Sequence, residues 1–279
     1  MENLLLKNLL LLITFSTAAL FSISILSHKQ ARAGSTPAEN ITVSFRLTSV
    51  NETNEDKIAS QKLAHAQQIA SELFAAVEKN NLIIAGKSED QLNTEVEQLA
   101  LDKFGIAKHW HKKIVRSGEN TLSIYPDNPP DRILQADDIL FIDFGIVADG
   151  WESDYARTYV LGNNARKIKL KNDVEKAWYE TREWINSQTK LSAADLFRYT
   201  RKKASEYGWT SAGDIAGHIV GKFPHEQPAD PKSLELDVHP DNFNDLFLRD
   251  AHGNKRHWIL EIHFVDKDNK IGGYFEQLL

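Results

Sequence analysis

Cysteine is absent from the 279-residue chain. That absence excludes disulfides, thiolate zinc sites and cysteine nucleophiles together. Any metal held by this protein therefore has to be held by carboxylate and imidazole. No run rich in Lys and Arg stands out, and 33 basic against 39 acidic side chains leave a net charge of −6. The electrostatic footprint of a nucleic-acid binder is missing, and so are internal repeats at solenoid periods. What remains is the balance of a globular protein, with 42% hydrophobic and 26% charged residues. The length suits one sizeable α/β domain or two small ones.

Long apolar stretches are also scarce, with one exception at the start. Leu9 to Leu26 is apolar or small throughout, with Lys7 before it and His28-Lys29-Gln30 after it. Ala31-Arg32-Ala33 then supplies the small-x-small pattern that a signal peptidase cuts. Residues 1–33 read as a cleaved export signal, and the alternative is an uncleaved anchor, since about 18 apolar residues just span a bilayer. Several Ser and Thr residues weaken the anchor reading, so a membrane contact is expected only if the segment stays attached. Both readings put the rest of the chain outside the cytoplasm, periplasmic or secreted. A cysteine-free mature chain fits a bacterial envelope compartment.

Residues 34–56 are polar, include Pro37, and read as a lead-in segment before a single catalytic domain over 57–279. Ile58 to Lys79 carries Leu63, Ile69, Leu73, Phe74 and Val77 close to a 3.6-residue period, which predicts a helix. Ser88 precedes a second helix with Glu89 and Asp90 in its first turn, ending near Gly105. Short β-rich runs follow at Ile139–Val147 and Tyr155–Leu161, then helical stretches at Lys171–Thr189 and Ala193–Tyr207. Strands at His257–Val265 and Gly273–Leu278 close the chain. Helices and antiparallel strands segregated in this way predict an α+β fold with one curved sheet.

The acidic residues have a telling placement. Asp149-Gly150 between two apolar runs is a strong hairpin signal. A two-residue turn there pairs Ala148 with Trp151, sets Asp154 opposite Gly145, and leaves Asp143 two places along on the same face. Diagonal neighbours of this kind lie roughly 7–8 Å apart at Cα, so two carboxylates can converge on one cation or two, and Gly145 leaves the space open. A turn at Asp268-Asn269 likewise sets Glu261 directly opposite Glu276, although Gly272-Gly273 could host a bulge. Each acid alone would ordinarily sit on a solvated face or in a salt bridge. Four aimed inward by two independent turns would repel, at several kcal/mol per unpaired buried anion, and a divalent metal pair resolves that conflict.

Gly217-His218-Ile219-Val220-Gly221 and His225 add two imidazoles seven residues apart. The order of Asp143, Asp154, Gly-His-x-x-Gly at 217–221, Glu261 and Glu276 resembles the "pita-bread" metallopeptidases, the family of methionine aminopeptidases, Xaa-Pro aminopeptidases and prolidases. The resemblance runs from about Ile58 to the C-terminus and includes Asp154-Tyr155-Ala156-Arg157-Thr158 and Gly273-Tyr274-Phe275-Glu276. It implies a pita-bread fold and two divalent metal ions, of Mn, Co, Fe or Zn type. By the same resemblance Asp143 would chelate one metal, Asp154 and Glu276 would bridge both, and His218 and Glu261 would bind the second. A hydroxide between the metals would attack the amide, His225 would stabilise the tetrahedral intermediate, and Glu261 would relay the proton.

The implied activity is that of an aminopeptidase, Xaa-Pro specificity included, acting on a peptide or small amide and not on nucleic acid. Two alternatives are a hydrolase of a non-peptide C–N bond, as in creatine, and a binding module that kept the fold and lost catalysis. A homodimer is compatible with the family but no pattern specifies it. The chain departs from the family in one place. Aminopeptidases of this type carry a substrate-side histidine on the strand upstream of the first Asp, where this chain has Thr121-Leu122-Ser123-Ile124-Tyr125. His109 and His111 lie further back, and they either reach the pocket as substrate-binding residues or pack beside Trp110. His263, two residues after Glu261, is expected to share its face and act as its partner.

Overall fold

The computed structural model describes residues 52–279. The expected export signal and residues 34–51 of the expected lead-in lie outside the described residues. Helix α1 spans Asn54–Lys79 and begins four residues before the apolar period becomes visible. Its start is set by a reciprocal cap. Asp56 N donates to Thr53 Oγ1 (3.0 Å) and Thr53 N donates to Asp56 Oδ2 (2.9 Å), which satisfies two of the free amides at the helix end. Residues 54–56 are thus helical rather than part of a polar lead-in. Asp56 is buried, and its carboxylate also accepts from Arg249 Nη1 (2.8 Å) and Lys255 N (2.7 Å), tying the helix start to a distant loop. Helix α2, Glu89–Phe104, is capped by Ser88 and stopped by Gly105 at φ 68°, at the ends its sequence predicts.

A short strand β1, Ile114–Ser117, and a 3-10 turn, Gly118–Leu122, lead to β2, Ile139–Ala148, and β3, Trp151–Val160. Helices α3, Ala165–Asn186, and α4, Ala193–Tyr207, follow. Helix α3 starts six residues ahead of the expected stretch because Asn164 caps it, accepting from Arg166 N and Lys167 N. Two-residue strands β4, Thr210–Ser211, and β5, Ile219–Val220, precede the closing hairpin of β6, His257–Asp266, and β7, Ile271–Leu278. The strands form an antiparallel sheet in the order β1-β2-β3-β7-β6-β4, with β5 paired to β6.

Alternation along these strands divides the sheet into two faces. One face carries Leu140, Ile142, Phe144 and Ile146 of β2 with Tyr155 of β3, which pack against α1 and α2 through Leu73, Phe74, Leu92 and Val96. Further along, Leu260, Ile262 and Phe264 of β6 with Phe275 of β7 pack against α3 and α4 through Leu170, Val174, Trp178 and Leu196. Burial on that face, at roughly 25 cal/mol per Å² of apolar surface, commits the opposite face to whatever the odd positions of β2 and β6 carry.

Both hairpin registers are as the turns predict. Gly145 pairs with Asp154 and Ala148 with Trp151. Glu261 pairs with Glu276, and Gly272 and Gly273 hold regular pairing with Val265 and Phe264, without a bulge. Ala156 pairs with Glu276, which joins the two hairpins. A single row across the sheet therefore reads Ile114, Asp143, Ala156, Glu276, Glu261.

Gly272 is needed for a close approach of chain to chain. Its N–H donates to Thr121 Oγ1 at 2.7 Å, and a Cβ there would lie 2.2 Å from the Thr121 carbonyl oxygen. That oxygen is backbone and cannot swing away. Gly272→Ala is expected to destabilise the protein by about 1–3 kcal/mol, lowering Tm by roughly 2–4 °C per kcal/mol. An unchanged thermal melt would show that the 3-10 turn does not rest on β7 as described.

Candidate metal centre

Asp154 stands at the centre of the acidic face. Its neighbours across the sheet are small: Gly145 lies opposite it, and Ala156, two residues on, separates Asp143 from Glu276 in the row. The room so left is filled by imidazoles. His111 Nε2 lies 2.9 Å from Asp154 Oδ1 and 3.7 Å from Asp143 Oδ1. His218 Nε2 lies 3.2 Å from Asp154 Oδ2 and 3.7 Å from Glu276 Oε1. Each oxygen of Asp154 thus belongs to a separate group of three ligand-type side chains, His111-Asp143-Asp154 and Asp154-His218-Glu276. Within each, the donor atoms all lie within 4.8 Å of one another. Glu261 lies directly across from Glu276 and lines the same cavity, outside either tight group.

His218 reaches this position because Gly217 precedes it. Gly217 adopts φ 145°, and a Cβ there would lie 2.0 Å from the Ile259 carbonyl oxygen. The chain can therefore lie against β6, where Ile259 N donates to the His218 carbonyl at 2.8 Å. His111 arrives from the segment before β1, where Trp110 N donates to the Gly145 carbonyl at 3.0 Å. A bend at Trp110 and His111 breaks strand alternation there.

That bend separates the two histidines expected to share a fate. His111 enters the cavity, whereas His109 points to the helix-covered face, edge-on to Phe144 with ring centroids 5.6 Å apart. His109 Nε2 is buried without a hydrogen-bond partner among the described residues, and burial pulls its pKa below the ordinary value. A substrate-binding role for His109 is corrected accordingly. His263 is likewise not the partner of Glu261, since its Nε2 meets the Thr121 carbonyl oxygen at 2.8 Å. The partner is Tyr274, whose hydroxyl donates a short hydrogen bond to Glu261 Oε2.

His225 lines the cavity and is held from behind by Glu152. The Glu152 carboxylate is buried, meets His225 Nδ1 at 2.8 Å and accepts from His225 N (3.1 Å) and Gly221 N (3.0 Å). Neither Glu152 nor Tyr274 was singled out from the sequence. Both are legible by parity, Glu152 two residues before Asp154 and Tyr274 two before Glu276 on strands whose register the turns set. Tyr125, in the stretch that lacks the family's histidine, sits at the cavity mouth with its ring 5.8 Å from His111. Arg116 fixes that loop by donating to the Ser123 and Asp127 carbonyls, each at 2.8 Å.

The electrostatics follow from four carboxylates lining one cavity, with Asp143, Asp154 and Glu276 buried. Burial and the neighbouring Asp154 push Asp143 well above the usual carboxylate range. Burial, then Asp154 and Asp143, do the same to Glu276, and burial raises Glu261. Asp154 goes the other way. Burial would raise it, but His111 and His218 hold it below its ordinary value. Burial would lower His111, yet Asp154 and Asp143 push it up to about 9, and His218 is raised by hydrogen bonds to Asp154 and Glu276 against the same burial. Asp143 Oδ1 and Glu261 Oε1 are buried with no hydrogen-bond partner among the described residues. Orphaned carboxylate oxygens beside two imidazoles form a donor set suited to borderline divalent cations, and two such cations would balance the four negative charges.

The cavity around these residues has a volume of about 470 Å³. Ile114, Ile124, Phe141, Ile215 and Leu236 add an apolar lining to the same cavity, with Ile114 directly beside Asp143.

Comparison with known proteins agrees with this geometry. The model of metallopeptidase family M24 matches residues 61–245. An uncharacterised peptidase of Methanocaldococcus jannaschii is 28% identical over 66% of this chain and 51% of its own length. The methionine aminopeptidase of Helicobacter pylori is 30% identical over 41% of this chain and 45% of its own. Among solved structures, a prolidase from Thermococcus sibiricus superposes with a TM-score of 0.62 at 24% identity, covering 79% of this chain and 55% of that one. The chain thus spans about half the length of the curated relatives it matches, and the fold it shares with the prolidase is the pita-bread fold.

The raised groups set a pH dependence with a definite sign. A group whose pKa is raised on folding stabilises the fold below its unfolded value and loses that contribution as pH rises through the folded one. For His111 the window runs from 6.5 to about 9, and the raised His218 and carboxylates act in the same direction. Asp154, being lowered, matters only in acid. Chelator-treated protein should therefore melt at a lower temperature at pH 9 than at pH 6.5, and the gain in Tm on adding Zn²⁺ or Mn²⁺ should grow across that window, because cations replace protons. A metal-induced gain that shrinks as pH rises would contradict this electrostatic picture.

Proposed function

Because the chain belongs to metallopeptidase family M24, we propose that it is a hydrolase that uses two divalent cations to cleave an amide bond near the N-terminus of a peptide, Xaa-Pro bonds included. The observation that carries this reading is Asp154, whose two oxygens each complete a separate carboxylate–imidazole group. Asp143 with Asp154, and Asp154 with His218 and Glu276, are the residues that would hold the cations, with Glu261 closing the set. Bound there, the cations would polarise the amide carbonyl and ready a water for attack.

The remaining work falls to the chain's own side chains. Tyr274 occupies Glu261 Oε2 and leaves Oε1 unpaired, so Oε1 is the atom on which a proton can rest during cleavage. Glu152 accepts from His225 Nδ1, and with the ring doubly protonated the Nε2–H can donate to the oxygen that gains charge. The apolar lining supports a hydrophobic side chain of the substrate and excludes water from it. An exported location belongs to the same proposal and rests on the pattern of residues 1–33.

A second reading keeps the cations and changes the substrate. Tyr125, in the stretch where family aminopeptidases carry a histidine, lines the cavity with His111, and an altered wall favours a small non-peptide C–N substrate. A lost catalytic function is disfavoured by a ligand set in which none of the expected residues is missing.

Metal-reconstituted protein is expected to release the N-terminal residue from short peptides, Xaa-Pro peptides among them, in a product assay with Mn²⁺, Co²⁺, Fe²⁺ or Zn²⁺. Turnover confined to small amides would select the second reading, and no turnover on either panel would contradict both. Asp154→Asn should empty or unbalance the site in elemental analysis while the protein stays folded. His225→Ala should keep its metal and lose about 10²–10³ in kcat, and loss of metal from that variant would reassign His225 as a ligand.

A further inference from the structure

His111 occupies none of the five ligand positions that the family resemblance supplies, yet its surroundings repeat those of His218. His218 Nδ1 meets the carbonyl oxygen of the next residue, Ile219, at 2.9 Å. His111 Nδ1 meets the carbonyl oxygen of its own next residue, Lys112, at 2.7 Å. A carbonyl only accepts, so in both rings Nδ1 carries the hydrogen and Nε2 is the free nitrogen of the neutral imidazole. Each Nε2 then faces one oxygen of Asp154 and one oxygen of a second acid, Asp143 for His111 and Glu276 for His218. A lone pair aimed at two carboxylates is repelled unless a proton or a cation lies among them, and a divalent cation takes the place of that proton when it binds. Metal-binding histidines are oriented in this way, with the far N–H spent on a carbonyl.

The surrounding residues hold His111 in place. Trp110 meets it edge-on with centroids 4.6 Å apart, and the Trp110 Nε1 donates to the Ser153 carbonyl at 3.1 Å. Gly145 provides the room, since a Cβ there would lie 2.0 Å from His111 Cδ2 and 2.2 Å from Nε2. A histidine serving only as a substrate contact would turn its free nitrogen to the open cavity. This one turns it to the acids.

We propose that His111 is a metal ligand, so that each of the two cations takes one imidazole, His111 on the Asp143 side and His218 on the Glu276 side. This rests on the dinuclear reading above and adds to it. A second imidazole makes the Asp143 side a nitrogen-and-oxygen site, which favours Zn²⁺, Co²⁺ or Fe²⁺ over Mg²⁺ or Ca²⁺.

The test is zinc K-edge X-ray absorption on full-length protein loaded with Zn²⁺, together with Zn²⁺ titration calorimetry of the parent, His111→Ala and His218→Ala proteins. The expected result is two zincs per chain with about one imidazole per zinc in the parent. His111→Ala should weaken one of the two sites by at least about 10–100-fold, and His218→Ala should weaken the other. Counting imidazoles in the parent needs no substitution, so a variant that misfolds does not remove the test. Two zincs averaging half an imidazole each, or a His111→Ala protein that titrates like the parent, would overturn the role of His111 and leave the dinuclear reading standing. A parent that holds no zinc would overturn both.

Discussion

Mutual repulsion among four carboxylates on one face of a sheet is the constraint around which this protein is organised. Asp143, Glu276 and Glu261 are consecutive charged members of one row on that face, interrupted only by Ala156, and Asp154 sits one step off it. Leaving such charges dry and uncompensated costs several kcal/mol each. The structure meets this cost in part with imidazoles on both sides of Asp154, which stays ionised while Asp143 and Glu276 are driven towards their neutral forms. Protons are a partial answer. Divalent cations answer the same repulsion more completely, and the arrangement is built with one carboxylate shared between two halves.

The packed face of the sheet makes this possible. Helices α1 to α4 cover the side carrying Ile142, Phe144, Ile262 and Phe264, and the strength of that burial fixes which residues face the other way. A register slip of one residue in either hairpin would send the acids into the helices and the apolar residues into the cavity. Stability and site are thus specified by the same alternation. The small residues Gly145, Gly217 and Gly272 mark places where another segment comes too close for a side chain.

Much of this was legible in the sequence because turn chemistry fixes register. Asp149 at φ 50° and Gly150 at φ 78° form the left-handed pair that Asp-Gly favours between strands, and the positions of Asp143 and Asp154 follow by counting. The same counting placed Glu261 opposite Glu276. Helix starts were read less well, since Thr53 and Asn164 act through side chain–backbone bonds that precede any apolar period. His109 and His111 could not be told apart, because strand parity gives both the same direction and only the bend at Trp110 and His111 separates them. Glu152 needed one further step, the question of what stands behind His225.

Metal occupancy on the two sides of Asp154 is the central claim, and anomalous X-ray diffraction at the absorption edge of a loaded metal measures it most directly. The account predicts two anomalous peaks within the cavity, one beside Asp143 and one beside Glu276, with the Asp154 carboxylate between them. A single peak elsewhere on the surface, or none in crystals grown from metal-saturated protein, would contradict it.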